Sequence, residues 1–305
     1  MTSIAELDSR YGAPGRIVFR PGHAGYPNVV LAGKYATAEV ALLGGNVLSY
    51  RPTGQSEVIF RPARRDYNRG ESFHGGIPVC WPQFGNRFSA TLPQHGFLRA
   101  MPLEVRGSEY SEELTEVTLA LRSDAATREL WPHDFELELK VSVSMKLNLT
   151  LTTVNTGKDA FDFSCGFHPY LRVRERDLTE VRGLDGLAFF DGVAGRDGCR
   201  QTGPLKMTAA ADHIFTMPAA PRQEVALLDP GLRRAIAVVS TGNTRTVVWN
   251  CGADHPMSDF DADDWRRYVC VEPVSDWPGG RTLAGGERHT LQVAIQSTLE
   301  GGTAE

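Results

Sequence analysis

The chain has 305 residues, enough for two domains or for one large β domain, with 23% charged and 41% hydrophobic residues. A net charge of −5 argues against nucleic acid as the main partner, because binding a phosphate backbone needs a basic footprint. The five cysteines (Cys80, Cys165, Cys199, Cys251 and Cys270) are scattered and form no Cys-x-x-Cys pair, so free buried thiols are expected rather than a disulfide framework or a zinc site.

Residues 1–11 carry Glu6 and Asp8 and lack the apolar centre of a secretory signal. They read as a short helix or a frayed tail. No apolar run approaches membrane-spanning length. The expectation is a cytoplasmic protein without a membrane partner, built as a single domain over 1–305 with 1–25 loosely attached.

Short strand-like runs follow at 29–31, 38–43 and 47–50, separated by Gly33 and by Gly44-Gly45. Further runs lie at 58–60 and 114–122. The clearest signal is 135–151, where every odd position from Phe135 to Leu151 is apolar and the even positions are Glu, Lys, Ser, Asn or Thr. Period two assigns these side chains to one buried sheet face. Seventeen residues would make a strand of roughly 55 Å, far beyond the usual length, so a tight turn is predicted near 144–148. More strands are predicted at 161–165, 187–190, 224–228, 235–240, 246–249, 268–273 and 290–298. Helical periodicity is scarce. A one-turn helix is predicted at 125–130, and a short helix at 258–267 with Ser258 as N-cap ahead of an acidic first turn. The fold class is all-β, a large antiparallel sandwich or barrel with very few short helices.

Several familiar chemistries have no support. There is no phosphate-binding P-loop, no strand–GxGxxG–helix unit, no H-E-x-x-H and no serine nucleophile elbow. Asp259-x-Asp261-x-Asp263 opens like an EF-hand loop, but its sixth position is Asp264 and its twelfth Cys270, where Gly and Glu are needed. No metal and no cofactor is therefore expected.

What remains is a set of His, Arg and carboxylate side chains in aromatic surroundings. Residues 74–99 place a Trp, three Phe, two His and two Arg on a Pro- and Gly-rich backbone. Such a stretch is either a site wall carried by a scaffold or a well-packed closing loop. As a site wall it would line a cleft with Trp81 and Phe84. His168 follows a strand in Gly166-Phe-His-Pro-Tyr170; it is either a general acid or a core histidine bonded to backbone. Glu272 lies inside the apolar run Val269-Cys-Val-Glu-Pro273. It must pair with Arg266, Arg267 or a Lys, or else have a raised pKa suited to base chemistry. Arg61, Arg64, Arg65 and Arg69 crowd nine residues and suit either a bound anion or a solvated loop.

Taken in order, Gly75-Gly-Ile-Pro-Val-Cys-Trp-Pro-Gln-Phe-Gly85, Leu92-Pro-Gln-His-Gly-Phe-Leu-Arg99, Leu130-Trp-Pro-His133, Gly166-Phe-His-Pro-Tyr170, Val247-Val-Trp-Asn250, Met257-Ser-Asp259 and Cys270-Val-Glu272 resemble the glucose-6-phosphate 1-epimerases, the hexose-6-phosphate mutarotase branch of the aldose 1-epimerase superfamily. The resemblance covers about 29–298. It implies a galactose mutarotase-like β-supersandwich, a metal-free isomerase acting on a sugar or sugar phosphate, and a monomer. It also implies His168 as general acid, Glu272 as general base, and His74, Gln94, His95, Arg99 and Asp212 as substrate contacts. One departure stands out: the family usually has Arg where this chain has His74. That leaves two alternatives open, a mutarotase for a non-phosphorylated or differently charged aldose, and a non-catalytic sugar-phosphate-binding protein.

Overall fold

A computed structural model describes residues 2–63, 74–254 and 257–300. The alternating stretch folds as predicted. Phe135–Val143 and Leu147–Asn155 pair antiparallel, with Phe135 opposite Asn155 and Val143 opposite Leu147. Residues 144–146 make the turn between them. Leu137, Leu139, Val141, Leu149 and Leu151 all face the core at 1% exposure or less, so the odd-numbered face of both strands is removed from water, whereas Met145, expected on that face, sits in the turn and is 52% exposed.

This hairpin sits inside a nine-stranded antiparallel sheet that includes Thr115–Arg122, Gln223–Asp229, Arg234–Thr241 and Arg288–Leu299. A second, eight-stranded sheet lies against it. Its centre is Tyr268–Ser275, flanked on one side by Arg245–Asn250 and then Ala211–Thr216, and on the other by Cys165–Phe167 and Val79–Cys80. Tyr170–Arg172 also pairs with Tyr268–Ser275. Phe167, Phe215, Val248, Val269 and Val271 of this sheet join the hairpin leucines in one continuous core. Residues of the opposite parity therefore face away from that core. In Tyr268–Ser275 these are Tyr268, Cys270, Glu272 and Val274, and they too are buried.

Three expectations need correction. Residues 2–25 do not hang loose. Ser3 and Glu6 form a capping box for α1 (Ile4–Tyr11), and Ile17–Pro21 pairs with Pro27–Ala32. Leu7, Ala13, Ile17 and Phe19 enter the main core. Residues 258–267 are not a helix beyond the 3-10 turn Asp264–Arg267. Asp259 is drawn to the distant His74, and Asp264 accepts from the Asp261 amide, so one of the side chains that suggested a first turn makes a long-range contact and another stabilises a local turn. Residues 58–60 form only an isolated bridge, Ile59 with Leu171. The one-turn helix α2 (Ala125–Leu130) is present, capped by Asp124.

Candidate active site

Glu272 is placed by the central strand of the eight-stranded sheet, opposite Val247, and is 1% exposed. His168 follows Cys165–Phe167. Its amide donates to the Pro78 carbonyl at 3.0 Å, and its ring stacks on Tyr170 at 4.7 Å and 7°. Gly166 makes room beside it: a Cβ there would stand 2.7 Å from Phe84 Cδ2 and 3.1 Å from Val274 Cγ2. The outcome is that His168 Nε2 lies 3.4 Å from Glu272 Oε2. Arg266 and Arg267, offered by the sequence as partners for Glu272, are engaged elsewhere, with Glu175 and Asp263 and with the Arg174 carbonyl.

The buried pair is held in its neutral forms. Burial pushes Glu272 well above the usual carboxylate range, helped by the nearby Asp212 charge. Burial, then His95, Arg99 and His74, push His168 well below the usual imidazole range. The Glu272 Oε2 and His168 Nδ1 atoms have no hydrogen-bond partner among the described residues. Arg99 Nε is likewise unpartnered among the described residues. Orphaned buried polar atoms of this kind are costly unless a ligand satisfies them.

The other expected contacts converge on the same pair. His95 sits edge-on to His168, with ring centroids 5.5 Å apart. Its backbone is left-handed (φ 63°), a conformation that non-glycine residues hold only when the surroundings enforce it. The enforcement is visible: the His95 amide donates to Gly85 O at 2.7 Å, its carbonyl accepts from the Trp81 amide at 3.2 Å, and its Nδ1 accepts from the Gly85 amide at 3.2 Å. Nε2 then carries the proton of the neutral ring. Burial, with Arg99 and His74, lowers the His95 pKa to about 3. Arg99 donates to the Gln94 carbonyl at 2.8 Å, while the Gln94 side chain is exposed beside His95 Nε2 at 3.5 Å. Asp212 shares a cross-strand row with Trp249 and Cys270. Burial raises its pKa, and Arg87 opposes that rise.

His74 is oriented by a residue to which the sequence assigned no role. Asp259 accepts from the His74 amide at 2.9 Å and lies 2.8 Å from His74 Nδ1. Burial opposes ionisation of Asp259, but the two bonds from His74 outweigh it and keep the carboxyl below its usual range. The signal was present: Asp259 belongs to one of the ordered motifs. Trp81, by contrast, does not line the cleft. It is fully buried against Phe97, Trp131 and Phe135, and its indole donates to Thr153 Oγ1 at 3.0 Å. Phe84 does lie beside the site, edge-on to His95 at 5.1 Å. Of the arginine cluster, Arg64, Arg65 and Arg69 lie outside the described residues.

Among the described residues, His168, Cys270 and Glu272 form the one group able to hold a metal ion, with ligand atoms within 4.8 Å of one another. Binding there would require deprotonating Cys270 and Glu272, both of which burial holds protonated. A groove of about 830 Å³ lies elsewhere, between α1, Glu104–Tyr110 and α2. Its charged residues are occupied in surface pairs, a helix cap and a ring contact: Arg106 with Glu104, Arg122 with Glu136, Asp124 with Thr127, and Arg10 over the Tyr11 ring.

A buried carboxyl–imidazole pair on the outer face of a large antiparallel sandwich, ringed by aromatic rings and hydrogen-bonding side chains, makes this a β-sandwich protein with a site suited to acid–base chemistry. The profile of the family Aldose 1-epimerase matches residues 28–296, and the chain belongs to that family. It is 30% identical over 240 residues to a Salmonella typhimurium protein named "putative glucose-6-phosphate 1-epimerase", covering 78% of this chain and 79% of that one. A Cenchrus ciliaris protein of the same name is 28% identical over 292 residues, covering 90% and 85%. The crystal structure of Salmonella typhimurium YeaD, described as a "putative mutarotase", superposes with a TM-score of 0.86 at 26% identity, covering 95% of this chain and 96% of that chain.

Proposed function

We propose that the protein interconverts the α and β anomers of a hexose 6-phosphate, glucose 6-phosphate foremost, with His168 and Glu272 as acid and base. The observation that carries this reading is the 3.4 Å approach of His168 Nε2 to Glu272 Oε2 in a buried, otherwise unpartnered setting. With the pair holding one proton between them, that proton moves to His168 when a sugar's polar groups enter. Glu272 then takes the proton of the anomeric hydroxyl while His168 gives one to the ring oxygen. The C1–O5 bond breaks and C1=O1 forms. The aldehyde turns about C1–C2, and O5 attacks the other face of C1. In that step O5 returns its proton to His168 and Glu272 reprotonates O1. Each positioned proton transfer contributes roughly 10²–10⁴ in rate.

His95, Asp212 and Gln94 suit the sugar hydroxyls, and Arg99 with His74 suits the phosphate. The Asp259–His74 pair favours a second reading, a neutral aldose as substrate, because imidazole is a weaker anion ligand than guanidinium. Family relatives bearing the glucose-6-phosphate 1-epimerase name favour the first. Exchange NMR of glucose and glucose 6-phosphate anomers decides between them: a higher kcat/KM for the phosphate supports the proposal, and equal values for the two sugars refute it. Five free cysteines suit a reducing compartment such as the cytoplasm.

A further inference from the structure

The basic groups around the site divide into two sets. Arg99 and His74 act on His95 and His168, whereas Arg87 acts on Asp212. Arg87 lies on the loop after Phe84 and is exposed. Its guanidinium rests over the Phe190 ring at 4.7 Å and the Trp277 ring at 5.3 Å, and these rings are themselves 6.0 Å apart. The loop is pinned from below, since Phe88 packs where a Cβ on Gly280 would stand at 2.6 Å. Among the described residues Arg87 makes no ion pair and no hydrogen bond. Its five N–H donors are thus fixed in place by two aromatic faces and left unengaged.

Asp212 is its counterpart. The carboxylate is half-buried, and Gly192 leaves the space beside it: a Cβ there would stand 2.0 Å from Asp212 Oδ2. Phe190, under the Arg87 guanidinium, pairs with Ile214, two residues from Asp212 on the same strand, and Phe190, Ile214 and Trp277 share one apolar patch. A second acid, Asp191, adds negative charge to Asp212. A phosphate dianion would be repelled there. A hydroxyl is suited, because it can donate to the carboxylate while accepting from the guanidinium.

Building on the reading of the site as a sugar isomerase, we propose that Arg87 and Asp212 form a second recognition pair that grips hydroxyls of the pyranose remote from its anomeric carbon. Arg87 is then a specificity-determining residue supplied by the loop, and the Phe190–Trp277 platform holds its guanidinium flat for that contact.

The test compares wild type, Arg87→Ala and Gly192→Ala on glucose 6-phosphate and its 3-deoxy and 4-deoxy analogues, and on the corresponding unphosphorylated sugars. A charge-assisted hydrogen bond sets the expected scale: kcat/KM on the parent sugar falls about 10- to 100-fold in Arg87→Ala, mainly through KM. On the analogue lacking the contacted hydroxyl, variant and wild type agree within about twofold on the same reasoning. Gly192→Ala, which displaces the Asp212 carboxylate without removing it, gives the same hydroxyl-dependent loss. Equal losses on every analogue, or no loss on any, overturn the Arg87 contact while leaving the isomerase reading intact. A wild type inert on every sugar overturns both.

Discussion

His168 and Glu272 stand 3.4 Å apart, Nε2 to Oε2, with burial driving both toward their neutral forms. Together they hold one transferable proton and no net charge. This suits a reaction whose forward and reverse steps exchange the roles of acid and base. Because the two sites are in contact, the pH–rate profile reports apparent values of the pair rather than of either residue.

Removing either partner should therefore stop the chemistry and spare the fold. His168→Asn and Glu272→Gln are each expected to lower kcat by about 10²–10⁴. Exchange NMR between anomers measures the rate, and a titration of sugar binding followed by chemical shifts shows whether affinity survives. A Glu272→Gln protein with wild-type kcat would remove Glu272 from the proposed mechanism.

Phosphate preference should be sensitive to position 74. His74 is held by Asp259 through two contacts, so its ring is oriented but its charge depends on protonation. Guanidinium keeps its charge and can bind phosphate in bidentate fashion. His74→Arg is expected to lower KM for glucose 6-phosphate several-fold and to leave KM for glucose unchanged. The ratio of the two KM values reads this out. An equal change for both sugars would show that position 74 does not face the phosphate.

The parts of this fold legible in the sequence are those in which one face meets water and the other the core. In residues 135–141 and in Leu147–Asn155, burial alternates residue by residue, so period two survives in the sequence. The central strand Tyr268–Ser275 is buried on both faces, and alternation vanishes. There the oddity of one Glu among apolar residues was the signal, and the motif resemblance supplied its partner across about a hundred residues. Trp81 was misread because an aromatic ring in a Pro- and Gly-rich loop looks the same whether it faces a cleft or a core. Arg87, Phe190 and Trp277 come from three distant segments, and nothing periodic or local joins them.

The space that Gly166 provides is also testable. Its absent side chain lets Phe84 approach, and Phe84 in turn borders His95. Gly166→Ala should overpack this contact and cost about 1–3 kcal/mol of stability, measured by urea unfolding. It should also lower kcat, since the Phe84 ring must shift toward the His95 ring. A variant with unchanged stability and rate would show that the neighbouring side chains yield freely.

Acid should destabilise the fold through histidines that are buried uncharged. His95 titrates at about 3 in the fold, chiefly because burial disfavours its charge. His289, buried with Nε2 3.1 Å from Ser275 Oγ, titrates at about 4 for the same chief reason. In the unfolded chain both take up a proton near pH 6.5. Above that pH the two states bind equal numbers of protons at these sites, and stability does not depend on them. Between pH 6.5 and about 4 the unfolded state binds more, so stability falls as pH falls. Below about 3 the folded state is protonated as well and the slope from these groups disappears. His289→Gln, which lies outside the proposed chemistry and keeps a hydrogen-bonding side chain, should flatten the decline of the urea midpoint between pH 6.5 and 4 and leave the midpoint at pH 8 little changed. An unaltered slope would show that His289 is already charged in the fold throughout that range.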